Sequence, residues 1–174
     1  MRRLLTEAFA DDGRVGGLAQ ALHARADRPV DCTLVAESNG ELVGHVQLSR
    51  AWIDAEPALV EALVLSPLGV APAHQRRGVG RALCESALAH ARRRHSPAVF
   101  LEGDPSYYAR LGWQRASERG FTAPSARIPD PGFQVAILPS WQPWMVGGLV
   151  YNDTFWALDF VGLRTGPEQR DPTT

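Results

Sequence analysis

Residues 68–80 read Leu68-Gly69-Val70-Ala71-Pro72-Ala73-His74-Gln75-Arg76-Arg77-Gly78-Val79-Gly80, an apolar segment that passes through a proline turn into a basic stretch punctuated by glycine. The flanks give this stretch its frame. Upstream, 58–70 is a long apolar run interrupted by Ser66-Pro67. Pro67 has no N–H to give a ladder, so the spacing predicts a strand that bends or bulges there. Downstream, 81–94 carries Leu83, Ala87, Leu88 and Ala91 on one face of a helix. The order is strand, glycine-containing turn, helix.

Three phosphate-binding patterns compete for the turn. A Walker A loop needs Gly-Lys-Ser/Thr, but Gly80 is followed by Arg81-Ala82, which removes both the lysine and the hydroxyl. A dinucleotide fingerprint starting at Gly78 needs glycine at position 83, which is Leu83. The pattern that fits is Gln-x-x-Gly-x-Gly, with Gln75, Gly78 and Gly80. Physically it describes a helix N-terminus with bare amides, where missing side chains let a pyrophosphate reach the backbone and the helix dipole favours its charge. Arg76, Arg77 and Arg81 add positive charge. The plainer alternative is a strand-to-helix turn with a solvated basic rim.

Outward from this unit, 8–26 reads as one amphipathic helix, with Leu18, Ala21, Leu22 and Arg25 at helical spacing and Asp11 and Asp12 near its start. Two short β-branched runs, 32–37 and 42–48, flank Asn39-Gly40, a strong hairpin signal. Ser96-Pro97 ends the long helix, and 98–102 reads as a second buried strand, parallel to the first through a right-handed crossover. Asp104 then suits an N-cap with Pro105 at the first helical position, and Gly112 suits a C-cap. Residues 122–132 read as loop, 133–138 as a strand and 148–156 as a last strand. The whole is an α/β (α+β) layer with a mixed sheet, one domain over 1–164 and a polar, fraying tail at 165–174.

Composition sets limits on partners. The chain has 174 residues, with 18 Lys+Arg against 19 Asp+Glu and a formal charge of −1, so no nucleic-acid or acidic-lipid partner is expected and any phosphate binding is local. No run approaches the roughly 18 apolar residues of a membrane span. Glu7, Asp11 and Asp12 spoil the start as a secretion signal, so a cytoplasmic protein is expected. Cys32 and Cys84 lack metal or disulfide spacing and read as buried thiols. His23, His74, His90 and His95 show no ligand spacing, so no metal is expected. Arg92-Arg93-Arg94-His95 reads as a solvated helix end.

Residues 68–80 resemble the acetyl-CoA-binding signature of the GCN5-related N-acetyltransferase (GNAT) family. Tyr107-Tyr108-Ala109-Arg110-Leu111-Gly112-Trp113 resembles its later Phe-Tyr-x-x-x-Gly-Phe element, with Trp113 in place of phenylalanine. The segment Gly103-Asp104-Pro105-Ser106-Tyr107-Tyr108 with the proline-rich loop after it is similar to the YhbS-like bacterial subgroup, over roughly 4–160.

This resemblance implies a single-domain mixed sheet flanked by helices, with a splayed central pair of parallel strands. It implies acetyl-CoA as cosubstrate, Leu68, Gly69 and Val70 along its pantetheine arm, and Arg76, Arg77, Gly78, Val79, Gly80 and Arg81 around its pyrophosphate. The Val70 N–H would polarise the thioester carbonyl, and Tyr108 would protonate the leaving thiolate. For Tyr108 the competing reading is an aromatic packed near Trp113, and Tyr107 is assigned to the core. The implied acceptor is a primary amine of a small molecule or peptide; the alternative is a non-catalytic coenzyme A-binding regulatory module. The family's usual glutamate position falls on Val64, which leaves Glu61, Glu102, Asp104, His45 or a water relay as the base. Trp141, Trp144, Tyr151, Phe155 and Trp156 would close an acceptor pocket, form a homodimer face or pack the core. The family's opening strand has no match near Met1, so it is either dispensed with or lost to a late assigned start.

Overall fold

The computed structural model describes residues 1–25, 27 and 30–163. The expected helix end at Ala26 and the tail 165–174 lie outside the described residues. The N-terminal region forms two helices, α1 (Arg2–Phe9) and α2 (Arg14–Ala24), instead of the single one expected. Ala10 at φ 50° turns the chain out of α1, and the Asp11 carboxylate accepts from the Gly13 and Val15 N–H groups at 3.0 and 2.8 Å. Asp11 therefore serves the amides of a new helix start, which a periodicity count alone does not reveal. Leu18 and Leu22 are buried as the spacing predicts.

The hairpin forms as β1 (Val30–Ser38) and β2 (Glu41–Ala55), turning on Asn39 and Gly40, both at positive φ. β2 then pairs along its length with β3 (Leu59–Val70). In that ladder Val46 faces Leu68 and Leu48 faces Leu65, so Gln47 stands opposite two residues, Ser66 and Pro67. This is the bulge that Pro67 predicts. The helix α3 (Val79–Arg93) crosses over to β4 (Ala98–Glu102), whose residues 98–101 are all buried.

After β4 come α4 (Pro105–Tyr108), β5 (Gln114–Arg115), β6 (Phe121–Thr122), β7 (Phe133–Ile137), β8 (Gly147–Tyr151) and α5 (Asp153–Ala157). The eight strands form one mixed sheet in the order β5-β7-β4-β3-β2-β8-β6, with β1 on the first half of β2 and β8 on its second half. The last expected strand is shorter than its apolar run. It stops at Tyr151 because the Asn152 side chain accepts from the Thr154 N–H at 3.0 Å and starts α5. The α3 face of the sheet packs Leu83, Cys84, Ala87 and Leu88 on Leu48, Leu63 and Leu65. The opposite face gathers Leu18, Leu22, Ile53, Val64, Phe100 and Phe155. Cys84 is buried as expected, whereas Cys32 on β1 is only partly so. Among the described residues no helix is long and apolar enough to cross a membrane, and no group of three His, Cys, Asp or Glu could hold a metal ion.

β3 and β4 are parallel and pair at only two positions, Leu63 with Val99 and Val64 with Phe100. Beyond them the strands part. The functional site lies in that gap.

His45, on β2, is fully buried. Burial first, then the N-terminal ammonium and His23, push its imidazole down to about 4, with the Pro67 backbone opposing. The unfolded chain takes up this proton near the ordinary value of about 6.5. Stability from neutral His45 is thus present above that value and is lost as pH falls towards 4, on the order of 3 kcal/mol. Denaturant midpoints are expected to drop between pH 7 and 4, and to drop less in His45→Gln; an identical drop in the variant would contradict this assignment.

Candidate active site

The turn between β3 and α3 exposes amides because of its backbone. Arg76 adopts φ 59° and Gly78 φ 86°, and α3 starts at Gly78 without any side chain capping its first N–H groups. Gly78 supplies the left-handed geometry that a side chain would resist. Fifteen residues of helix dipole point their positive end at this spot. Gln75 ties the turn down by donating from Nε2 to the Val70 carbonyl at 3.1 Å.

Beside these amides runs a cleft of about 280 Å³. Leu68, Gly69 and Val70 form one wall, Gln75, Arg76 and Gly80 another, and Phe9 of α1 and Tyr107 of α4 cover it. Gly80 matters here through space: a Cβ on it would stand 2.9 Å from the Tyr107 hydroxyl. Of the other predicted residues, Val79 turns its side chain to the core and offers only its backbone. Arg77 is exposed and not part of the lining, and the Arg81 guanidinium holds Glu85 at 2.7 Å. Tyr107 therefore departs from the core role expected of it. The one-turn helix α4, capped by Asp104 accepting from the Ser106 N–H at 2.8 Å, presents two adjacent tyrosines to two different surroundings.

A second cavity, of about 340 Å³, opens where β3 and β4 part, and Phe9 and Leu68 line both cavities. Tyr108 lines this one, with its ring at 71° to Trp113 and against Gly103, so it both packs near Trp113 and faces the cavity. Burial pushes its phenol well above the ordinary tyrosine value, which keeps the proton on it at neutral pH.

The candidate bases separate clearly. His45 lines neither cavity and is held neutral by burial. Glu61 is exposed, in a shallow hollow beside Asp31 and Arg94 on the α3 face of the sheet. Asp104 borders the cavity but its carboxylate caps α4, and hydrogen bonds from Ser106 hold it below the usual range. Glu102 lines the cavity at the end of β4. Phe100 pairs with Val64 across the two strands, and Glu102 lies two residues on, which puts its side chain on the face that Val64 shares. Val64 of β3 and the Glu102 carboxylate of the neighbouring strand thus line the same cavity. Glu102 is open to the cavity, yet the protein around it desolvates its carboxyl and raises it above the ordinary value, against the lowering effect of its bond to Tyr151. The buried Tyr151 hydroxyl donates to Glu102 Oε1 at 2.8 Å.

Three participants were not individually legible: Phe9 at the junction, Phe160 on the far wall, and Tyr151 as the partner of Glu102. The aromatic density of 141–156 pointed to Tyr151 and Phe155 as pocket or core. They are both, while Trp141 and Trp156 pack on the core and Trp144 stays largely exposed.

Comparison with known proteins bears on the family and the fold. The sequence model of the acetyltransferase (GNAT) family matches residues 1–113. The chain is 32% identical over 125 residues to the uncharacterized N-acetyltransferase YjhQ of Escherichia coli (strain K12), covering 71% of this chain and 68% of that one. Its fold is similar to that of the GNAT family N-acetyltransferase YhbS from Escherichia coli, solved with CoA, at a TM-score of 0.76 and 23% identity over 88% of this chain and 83% of that chain. It is also similar to a GNAT family acetyltransferase from Brucella melitensis solved with acetyl-CoA, at a TM-score of 0.69 and 27% identity over 88% of both chains.

Proposed function

Because this chain belongs to the GNAT acetyltransferase family, we propose that it transfers the acetyl group of acetyl-CoA to a primary amine held against Glu102. The observation that carries this reading is the meeting of two cavities at Phe9 and Leu68. One ends on bare helix amides suited to a pyrophosphate, and the other on a carboxylate suited to an ammonium. The two relatives solved with CoA and acetyl-CoA support the cosubstrate. The free cysteines fit a reducing compartment, and we place the reaction in the cytoplasm.

An alkylammonium, with a pKa near ~10, must lose a proton before it can attack. Glu102, with a raised carboxyl, accepts that proton at the cavity wall. The amine nitrogen then bonds to the thioester carbon as the carbon–sulfur bond breaks, and Tyr108 gives its phenolic proton to the departing sulfur. A second proton leaves the new amide nitrogen and, through water, restores the Tyr108 phenol, while Glu102 returns its proton to solvent. Leu68 lines both cavities whereas Val70 lines only the cofactor cleft, so the main chain at Leu68 is better placed than that at Val70 to meet the thioester carbonyl. Val70, with Gly69, flanks the pantetheine arm, and the amides of 76–81 meet the pyrophosphate. The Glu102 carboxylate is what argues against the non-catalytic alternative.

The test is a pair of tyrosine variants. Tyr108→Phe is expected to lower kcat by about 100-fold or more with acetyl-CoA affinity unchanged, the usual scale for losing a general acid. Tyr107→Phe is expected to change kcat by no more than a few-fold. Equal effects of the two variants, or full activity in Tyr108→Phe, would remove Tyr108 from the chemistry.

A further inference from the structure

The acceptor cavity has a composition that selects. Phe9, Tyr108, Tyr151, Phe155 and Phe160 place five aromatic rings on its lining, and Val15 and Leu18 of α2 add aliphatic surface. Its charged side chains are two carboxylates, Glu102 and Asp104, and among the described residues no Arg, Lys or His lines it. Arg14, outside the lining, stacks on the Phe160 ring at 4.7 Å to its centroid and donates to the Asp159 carbonyl. At about 340 Å³ the space is at the small end of the usual range for ligand pockets, about 300–1,000 Å³, and the acetyl end of the cosubstrate must share it.

We infer that the acceptor is a small monocationic primary amine with an apolar, ring-sized body, its ammonium group on Glu102 and its body among Phe9, Phe155 and Phe160. This rests on the amine-acetylation reading and makes it more specific. Each alternative meets an obstacle in the lining. A carboxylate- or phosphate-bearing amine would face Glu102 and Asp104 with no cation to balance it. An amino sugar would lay its hydroxyls on aromatic rings that return few hydrogen bonds. A polyamine would need a second partner for its distal charge, and both oxygens of Asp104 are already engaged by Ser106 at the head of α4. A single ring on an alkylamine satisfies both halves of the cavity: apolar burial for the ring and a paired charge for the nitrogen.

Two readouts test this. In the first, amine binding is measured by calorimetry on the CoA-loaded protein, where no acetyl group is available and chemistry cannot occur. In the second, thiol release from acetyl-CoA is followed with the same amines. The probes are 2-phenylethylamine, ethanolamine and spermidine. Phenylethylamine is expected to bind and to turn over with a kcat/KM roughly 30- to 100-fold above ethanolamine, the scale of burying one ring. Phe160→Ala is expected to raise KM for phenylethylamine by about 10-fold with kcat held, and so to narrow its advantage over ethanolamine. The inference is overturned if ethanolamine or spermidine equals or exceeds phenylethylamine in kcat/KM, if the preference survives Phe160→Ala intact, or if phenylethylamine fails to bind the CoA-loaded protein. Selective binding of phenylethylamine without thiol release from any amine would uphold the cavity's selectivity and overturn the transferase reading instead. All 18 basic residues of the chain are arginine, so no lysine of the enzyme itself competes as acceptor in these assays.

Discussion

Replacing Glu102 by Gln is expected to lower kcat/KM for the amine by roughly 10²- to 10⁴-fold at neutral pH, the range for losing a general base. The same substitution is expected to move the acid limb of the pH profile. In the parent enzyme that limb reports ionisation of Glu102, and desolvation by the protein around it places it above the ordinary carboxylate value. Activity should therefore be present above that raised value and fall as pH drops through it. Glutamine keeps the size of the side chain and its reach to Tyr151 but cannot accept a proton. The variant must then use amine already deprotonated in solution, and its limb should shift up towards the amine's own value near ~10. Glu61→Gln is the matched control, because that carboxylate is exposed on the other face of the sheet. A Glu102→Gln enzyme with the parent's pH profile would show that deprotonation takes place elsewhere, with a water relay as the remaining route.

The second large effect concerns the cosubstrate. Gly80→Glu is expected to weaken acetyl-CoA binding at least about 100-fold, equivalent to about 2.7 kcal/mol. Two causes add. A Cβ at this position would stand 2.9 Å from the Tyr107 hydroxyl, narrowing the cleft, and the new carboxylate would sit at the positive end of α3, where the pyrophosphate is expected to bind. Gly80→Ala should cost far less, since the Tyr107 ring end can give way. The thermal midpoint of Gly80→Glu should stay close to the parent, because the site is a cleft and not the core. Retained affinity in Gly80→Glu would move the pyrophosphate site away from this turn.

Some elements of the fold are written in local sequence and others are not, for physical reasons. Pro67 declared its bulge because a missing N–H has few accommodations in a ladder. The α3 face was legible because helical spacing of Leu83, Ala87, Leu88 and Ala91 leaves little choice about which side is buried. The break between α1 and α2 was hidden, because it is made by backbone turns at Ala10 and Gly13 and by the Asp11 side chain bonding to nearby amides, none of which helical spacing registers. The cofactor turn was readable from Gln75, Gly78 and Gly80, since backbone approach to a phosphate imposes residue types at short spacing. The base was not readable. Glu102 acquires its place from the parting of β3 and β4 and from a tyrosine 49 residues away, a relation that local sequence does not encode. The same holds for the surroundings of Tyr107 and Tyr108: one turn of helix decides which of the two lines which cavity.

Catalysis is tested by following heat and free thiol together as acetyl-CoA is titrated into the protein, with and without 2-phenylethylamine. Saturable acetyl-CoA binding is expected in both cases, with thiol release that depends on the amine. Binding with no release for any primary amine would contradict catalysis and leave a coenzyme A-binding module, whereas absence of binding would contradict the assignment of the cleft itself.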